Sequence, residues 1–590
     1  MKGDALRQRA SRQGIADGYH DIHGQWHAVS DASLEHLLRA LGAEKPAPAA
    51  PPQSDGSCHL PPAMAEGGKL WSLSVQLYGL RSERNWGIGD FSDLAELAEQ
   101  GARVGAAAVQ LNPLHALFGA RPAHCSPYAP SSRLFLNPLY IDVEAIDELK
   151  YSETAQRLIE QEAFQERLHA LRKADRVDYA AVAALKMPVL RLLFGEFVDR
   201  HARRTTERFA EFAAFRDRAG RALMDFALFE ALERRLIRTH PDGWASWPTS
   251  WRNRDPHACR DFVKRHPLEI LFPMYLQWLT RMQLEQAQQR AVAAGMSIGL
   301  IADLAVGVDP TGADAWRDRD LLAMDAEIGA PPDAFAAEGQ SWGLPPWRPR
   351  ALAARAYQPW RELLDATMSA VGGLRIDHII GCERQFWVPR GASGRDGAYV
   401  AYPREALLAV LAECSQRHNA LVIGEDLGTV PEGFSERLAD AAVLSTRVLR
   451  FERYPSGLFR RPSTYPELAC ACAGTHDLPP LAAWLEAGPA EPDDERFLLQ
   501  AALVDAGTEP LSEGVEDRIA AVHEFLAASP CCLVLVQLED ILAEREPANR
   551  PGTGPEQPNW QRKYALSVSE LDACPAWQRT ADVFRRAGRA

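Results

Sequence analysis

Eight short apolar segments recur along this chain, and at least five of them end in polar or ionisable groups. The segments are Trp71 to Leu77, Ala106 to Asn112, Ser297 to Leu304, Gly373 to His378, Ala420 to Asp426, Leu444 to Phe451, Leu468 to Thr475 and Cys531 to Glu539. Apolar runs of this length, alternating with helical patterns, predict parallel strands joined by crossovers, and eight of them predict a closed α/β barrel of the (β/α)8 TIM type. The polar endings read "QLNPLH", "IADLAVG", "LRIDH", "VIGEDLG" and "AGTHDLP". Reactive groups of such barrels gather where the strands end, at the C-terminal face.

The rest of the chain is organised around those segments. "SDASLEHLLRALGAEK" has Ser30 as a helix cap, Leu34, Leu37, Leu38 and Leu41 on one face and Gly42 as a stop, which predicts a small helical N-terminal extension over residues 1–43. The stretch 44–68, "EKPAPAAPPQSDGSCHLPPAMAEGG", reads as a Pro/Ala/Gly-rich linker, leaving 69–590 for the barrel. The second and third segments are separated by residues 113–296, far more than a crossover needs, and patterns such as "FALFEALERRLIRTH" predict a large, mainly helical insertion there. A Gly- and Pro-rich stretch from Gly329 to Trp347 carries Phe335, Trp342 and Trp347 and reads as a lid-like loop rather than a continuous element.

Composition narrows the function classes. A formal net charge of −14 disfavours a nucleic-acid partner, which would call for clustered Lys and Arg. No apolar stretch approaches the roughly 18 residues that span a bilayer, and the basic start of the chain has no apolar core behind it, so no membrane partner and a cytoplasmic location are expected. Ten cysteines are too sparse for a disulfide scaffold and read mostly as small buried hydrophobes. There is no HExxH, no paired CxxC and no Walker A pattern, so no metal and no other cofactor is expected.

Strand alternation in "LRIDH" puts Arg375 and Asp377 on one face. A guanidinium beside the carboxylate would lower its pKa and suit it to nucleophilic attack, although a purely structural ion pair would have the same spacing. Glu425 stands at another strand end, where a helix-start carboxylate is the plainer reading. Asp477 stands at a third, where Pro479 and Pro480 stop the strand and an Asx turn is the plainer reading. Together, three carboxylates at three strand ends suit glycosidic chemistry, which needs an acid and an opposed carboxylate around an oxocarbenium-like centre.

From about Trp71 almost to the C-terminus the chain resembles the bacterial 4-α-glucanotransferases (amylomaltases, disproportionating enzymes) of the α-amylase superfamily. The resemblance runs through "QLYGLRSERNWGIGDFSDL", "LNPLHALF", "SPYAPSSRLFLNPLYID", "DLAVGVDPTGADAW", "GAPPDAFAAEGQSWGLPP", "LRIDH", "GAYVAYP", "VIGEDLGTVP", "THDLPP" and "NRPGTGPEQPNWQRK". It implies Asp377 as nucleophile, Glu425 as general acid/base, its pKa raised by Asp377 and Asp477, and Asp477 as transition-state stabiliser. It further implies Arg375, His378 and His476 as groups orienting the carboxylate and binding sugar hydroxyls, Asp303 as a support for the nucleophile, Tyr128 as a sugar-stacking residue, and Trp342 and Asn549 as further binding residues. The implied activity is retaining transfer of α-1,4-glucan segments between maltooligosaccharides through a covalent glycosyl-enzyme. An α-glucan hydrolase of the same superfamily and a non-catalytic glucan-binding barrel are the alternatives. The chain departs from the pattern at Ala334, where shorter members have tyrosine, and at Pro480, where threonine is common.

Overall fold

The computed structural model describes residues 2–21, 24–42, 56–333, 336–486, 495–510, 512, 514–554 and 556–589. Each of the eight apolar segments overlaps a barrel strand: β1 Leu70–Val75, β2 Ala108–Leu111, β3 Gly299–Leu304, β4 Gly373–Ile376, β5 Leu421–Gly424, β6 Leu444–Val448, β7 Ala469–Cys472 and β8 Leu533–Gln537. Each pairs in parallel with the next and β8 pairs with β1, which closes the barrel. The strands are continuous apolar runs because both faces are covered; every residue of β3 and of β8 is buried.

Between β2 and β3 the chain forms a two-stranded sheet, His115–Ala116 with Ser132–Leu136, and then the long helices Tyr179–Phe197, Glu207–Leu236 and Pro267–Ala293. Their apolar faces meet in a second core that includes Leu193, Phe197, Phe229 and Trp278. The insertion is thus mainly helical, but its first part is extended, and that part carries Tyr128 back to the barrel mouth.

Three expectations need correction. The stretch 329–347 is not irregular throughout: Ala326–Ala330 and Gln340–Ser341 pair antiparallel as half of a four-stranded sheet completed by Arg384–Pro389 and Ala398–Ala401. Cross-strand pairing supplied by these distant segments is what local composition does not reveal. Ala334 and Phe335 lie outside the described residues. Nor is the N-terminal extension wholly helical, because a hairpin of Gly18–His20 and Trp26–Ala28 joins helices Lys2–Arg12 and Asp31–Leu41. Ser30 does cap the second helix, its Oγ accepting from the Ser33 N–H at 3.1 Å. The extension packs Ala10, Ile15, Leu34 and Leu37 against Trp387, Ala398 and Val400 of the four-stranded sheet. Of the expected linker, 44–55 lies outside the described residues, whereas 56–68 is tied down: Cys58 and Met64 are buried and the His59 N–H donates to Ser415 Oγ at 2.8 Å.

The barrel floor is closed by Arg589, whose guanidinium donates to the carbonyls of Ala527 at 2.9 Å, Cys531 at 2.8 Å, Ser529 at 2.5 Å and Leu70 at 3.3 Å. The ten cysteines are free thiols and seven are buried. No helix among the described residues is long and apolar enough to cross a membrane.

Candidate active site

At the mouth, the register of β3 and β4 sets Arg375 beside Asp303. Arg375 Nη1 donates to both Asp303 oxygens, at 2.6 and 2.8 Å, while Nη2 donates to Asp377 Oδ1 at 3.2 Å. After Ile376 the backbone leaves the sheet and His378 takes a left-handed conformation, φ 51° and ψ 54°. Such a conformation is uncommon without glycine and is tolerated better by His than by branched residues. The turn aims the His378 N–H at Glu425 Oε2, 2.9 Å away on β5's end, and the Leu427 N–H reaches Oε1 at 2.7 Å. Glu425 is therefore held by two backbone donors, with Asp377 two residues beyond the strand-bound Arg375.

The electrostatics differ from the expectation for the Arg375–Asp377 pair. The guanidinium serves Asp303 first, and burial of Asp377 outweighs its attraction, so Asp377 is pushed up to about 6, with Asp303 and Glu425 adding to the rise. Glu425 is also raised, chiefly by burial, against the opposing pull of Arg375 and the two N–H donors. Among neighbouring carboxylates, Asp426 adds most to that rise. His378 is lowered by burial, which keeps its ring neutral.

Asp477 stands at the exposed rim, its Oδ1 accepting from Asn549 Nδ2 at 2.6 Å and its Oδ2 lying 3.5 Å from His476 Nε2. The structure thus joins Asn549 to Asp477 and keeps this pair outward of Asp377 and Glu425. Tyr128 is placed differently from an open sugar platform. Its ring stacks on His476 at 4.6 Å and 23° and approaches Trp560 at 5.2 Å. Its hydroxyl donates to Asp303 Oδ2 at 2.6 Å and lies 3.2 Å from His476 Nδ1. The Tyr128 ring is thus flanked by His476 and Trp560 while its hydroxyl bonds Asp303. Trp342 does reach the mouth, meeting the His378 ring edge-on at 5.3 Å and 86°.

Sequence reasoning passed over Trp560 and Asp426. Trp560 lies within "PNWQRK", whose aromatic could have signalled it. Asp426 accepts from the Thr446 N–H at 2.8 Å and from Ser435 Oγ at 3.0 Å, tying the end of β5 to β6. Side by side, the arrangement offers two carboxyl groups of raised pKa on adjacent strand ends, Glu425 buried and Asp377 half-buried, a cation fixed between Asp303 and Asp377, and a third carboxylate at the rim. Such a set can donate a proton, attack an electrophilic carbon and stabilise positive charge.

Comparison with known proteins identifies the family and the fold. The sequence profile of the 4-alpha-glucanotransferase family matches residues 75–567. The chain is 38% identical over 543 residues to a 4-alpha-glucanotransferase of Haemophilus influenzae, covering 86% of this chain and 77% of that one. It is likewise 38% identical over 590 residues to a 4-alpha-glucanotransferase of Mycobacterium tuberculosis, covering 92% and 78%. Among solved structures, amylomaltase from Corynebacterium glutamicum superposes with a TM-score of 0.85 at 30% identity, covering 98% of this chain and 99% of that one. Amylomaltase from Streptococcus agalactiae, solved in complex with acarbose, shares the fold with a TM-score of 0.73 at 20% identity, covering 88% and 100%.

Proposed function

The chain belongs to the 4-alpha-glucanotransferase family, enzymes that transfer α-1,4-glucan segments, and from that premise we propose that Asp377 is its nucleophile and Glu425 its general acid/base. The observation that carries this reading is the pair of carboxyl groups on the adjacent ends of β4 and β5, Glu425 buried and Asp377 half-buried, each raised from its ordinary value. Glu425, whose proton affinity burial raises, delivers a proton to the leaving glucosidic oxygen. Asp377, ionised against Arg375, attacks the anomeric carbon and forms a glycosyl ester. Glu425, now a carboxylate, removes the proton from the 4-hydroxyl of an acceptor glucan, whose oxygen displaces Asp377 and restores the α-1,4 link.

The other residues support these two. Asp303, held by Tyr128, positions Arg375, and His378 and His476 face sugar hydroxyls. Asp477 leaves Asn549 to stabilise the oxocarbenium-like transition state. The sheet and loop carrying Trp342 cover the acceptor side and keep water from the ester, since hydrolysis differs from transfer only in which hydroxyl arrives. Maltooligosaccharides in the cytoplasm serve as donors and acceptors.

The test is Glu425→Gln incubated with a maltooligosaccharyl donor bearing a good leaving group. A glycosyl adduct is expected on the peptide containing Asp377, read by mass spectrometry after digestion. A label on any other residue would falsify the assignment.

A further inference from the structure

We propose that Arg450 and Asp540 are positioning residues for Asp477, gripping the segment that carries it from the ends of the two flanking strands. This rests on the reading of Asp477 as transition-state stabiliser.

The segment Gly474–Pro480 joins β7 to helix Leu481–Glu486. Pro479 and Pro480 have no N–H, and the Pro480 carbonyl already accepts from the Trp484 N–H at 3.1 Å within the following helix, so the groups at its C-terminal root left for the flanking strands to tether are the Pro479 carbonyl and the Leu481 N–H. Each has one buried side chain on it. Arg450, in the turn after β6, donates from Nη2 to the Pro479 carbonyl at 2.6 Å. Asp540, in the helical turn after β8, accepts from the Leu481 N–H at Oδ1 at 2.7 Å. Arg450 is 8% exposed and Asp540 1%. Arg450 also lies over the Trp484 ring at 4.4 Å, which extends the grip into the following helix. The anchors thus reach in from both neighbouring strand ends and meet at one side of the segment.

Upstream of this grip the side chain of His476 is held by Tyr128 and Trp560, while the backbone around Asp477 is attached more lightly. The Leu478 N–H donates to the Thr475 carbonyl at 3.1 Å and the Asp477 N–H to Thr475 Oγ1 at 3.3 Å, both within the segment itself. The Asp477 side chain is 46% exposed, with Asn549 as its short partner. A carboxylate that must exchange an amide for a sugar needs a fixed root and a free tip. A root displaced by about 1 Å can cost about 100-fold in rate, because the charge no longer meets the transition state where it develops.

The experiment is steady-state transfer with maltotriose, alongside maltotriose affinity and thermal melting. Asp540→Ala is expected to lower kcat about 10- to 100-fold with affinity within about twofold. Asp540→Asn keeps an acceptor oxygen for Leu481 and is expected to stay within about threefold of the parent. The double variant Asp477→Ala/Asp540→Ala should be no slower than Asp477→Ala by more than about twofold, because residues acting as one unit are not additive. Parental kcat in folded Asp540→Ala, or multiplying losses in the double variant, overturns the proposal. If Asp540→Ala does not fold, Arg450→Met decides: it keeps the stem over Trp484 but not the bond to Pro479, and a kcat loss at unchanged affinity supports the grip while parental kcat refutes it. Parental turnover in Asp477→Ala would instead remove the underlying reading, which is distinguishable from a slow Asp477→Ala beside a normal Asp540→Ala.

Discussion

The two ends of the barrel each bury an arginine, and they surround it differently. At the mouth, Arg375 is held by Asp303 and Asp377, and its charge acts on Glu425 as well. At the floor, Arg589 is fully buried and held by backbone carbonyls and by Ser529 Oγ. A cation among carboxylates tunes which of them hold protons. A cation among carbonyls ties chain segments together, with no carboxylate among its hydrogen-bond partners. The mouth is arranged to react and the floor to hold, in keeping with the division of labour known for this barrel.

The sharpest way to break that comparison is Asp377→Asn. It should lower transfer by about 10⁴-fold or more, as removal of a nucleophile does, while the melting temperature moves little. Turnover measured with maltotriose and calorimetry on the same sample would check both halves. A collapse in melting temperature with turnover per folded molecule intact would reassign Asp377 to structure.

Arg589→Ala should do the reverse. Losing several charge-assisted hydrogen bonds and exposing their carbonyls should cost about 3 kcal/mol of stability, with kcat at room temperature unchanged. Denaturant midpoints read the first and initial rates the second. A variant that melts normally would remove the floor's claim to a locking role.

The two ends should also separate in pH. At the mouth, kcat/KM should rise with pH as Asp377 loses its proton near its value of about 6. It should fall again as Glu425, raised from its ordinary value by burial, loses its own. Near the floor, the ring of His523 is buried close to Phe584 and is lowered to about 4 from an ordinary 6.5. The unfolded chain therefore takes up that proton at higher pH than the folded one does. Stability from this group is complete above about 6.5 and declines as pH falls from there towards 4. His523→Phe should flatten that decline in melting temperature without moving the acid limb of activity. A shift of the activity limb in this variant would show that the two ends are coupled.

The smallest effect is expected at Trp342. Trp342→Ala should raise the ratio of free glucose released by hydrolysis to transfer product by a few-fold, with total donor cleavage nearly unchanged. An unchanged ratio would locate water exclusion elsewhere in the mouth.

Much of this molecule is legible along the chain. Strands buried on both faces must be continuous apolar runs, so all eight could be placed to within a few residues, and the Ser30 cap marks its helix because the signal is local. The same holds for Asp377, Glu425 and Asp477, which sit where apolar runs stop. Less legible were the four-stranded sheet around Trp342 and the hairpin in the N-terminal extension. Their strands are short, and part of their stability comes from partners far away in the chain, such as Ile15 beside Val400.

The sequence by itself determined the barrel, the order of its strands and the three carboxylates at their ends, since periodicity and chemical type are properties of neighbouring residues. Only the tertiary structure decided how those groups are used. Register between β3 and β4 gives Arg375 to Asp303 before Asp377. Burial, rather than the adjacent guanidinium, sets the direction in which Asp377 titrates. The rim contact with Asn549 holds Asp477 outward, and Arg589 meets its carbonyls only when the last turn folds under the barrel. Each of these depends on distances between residues remote in sequence and on the dielectric around them, and neither quantity exists until the chain has closed on itself.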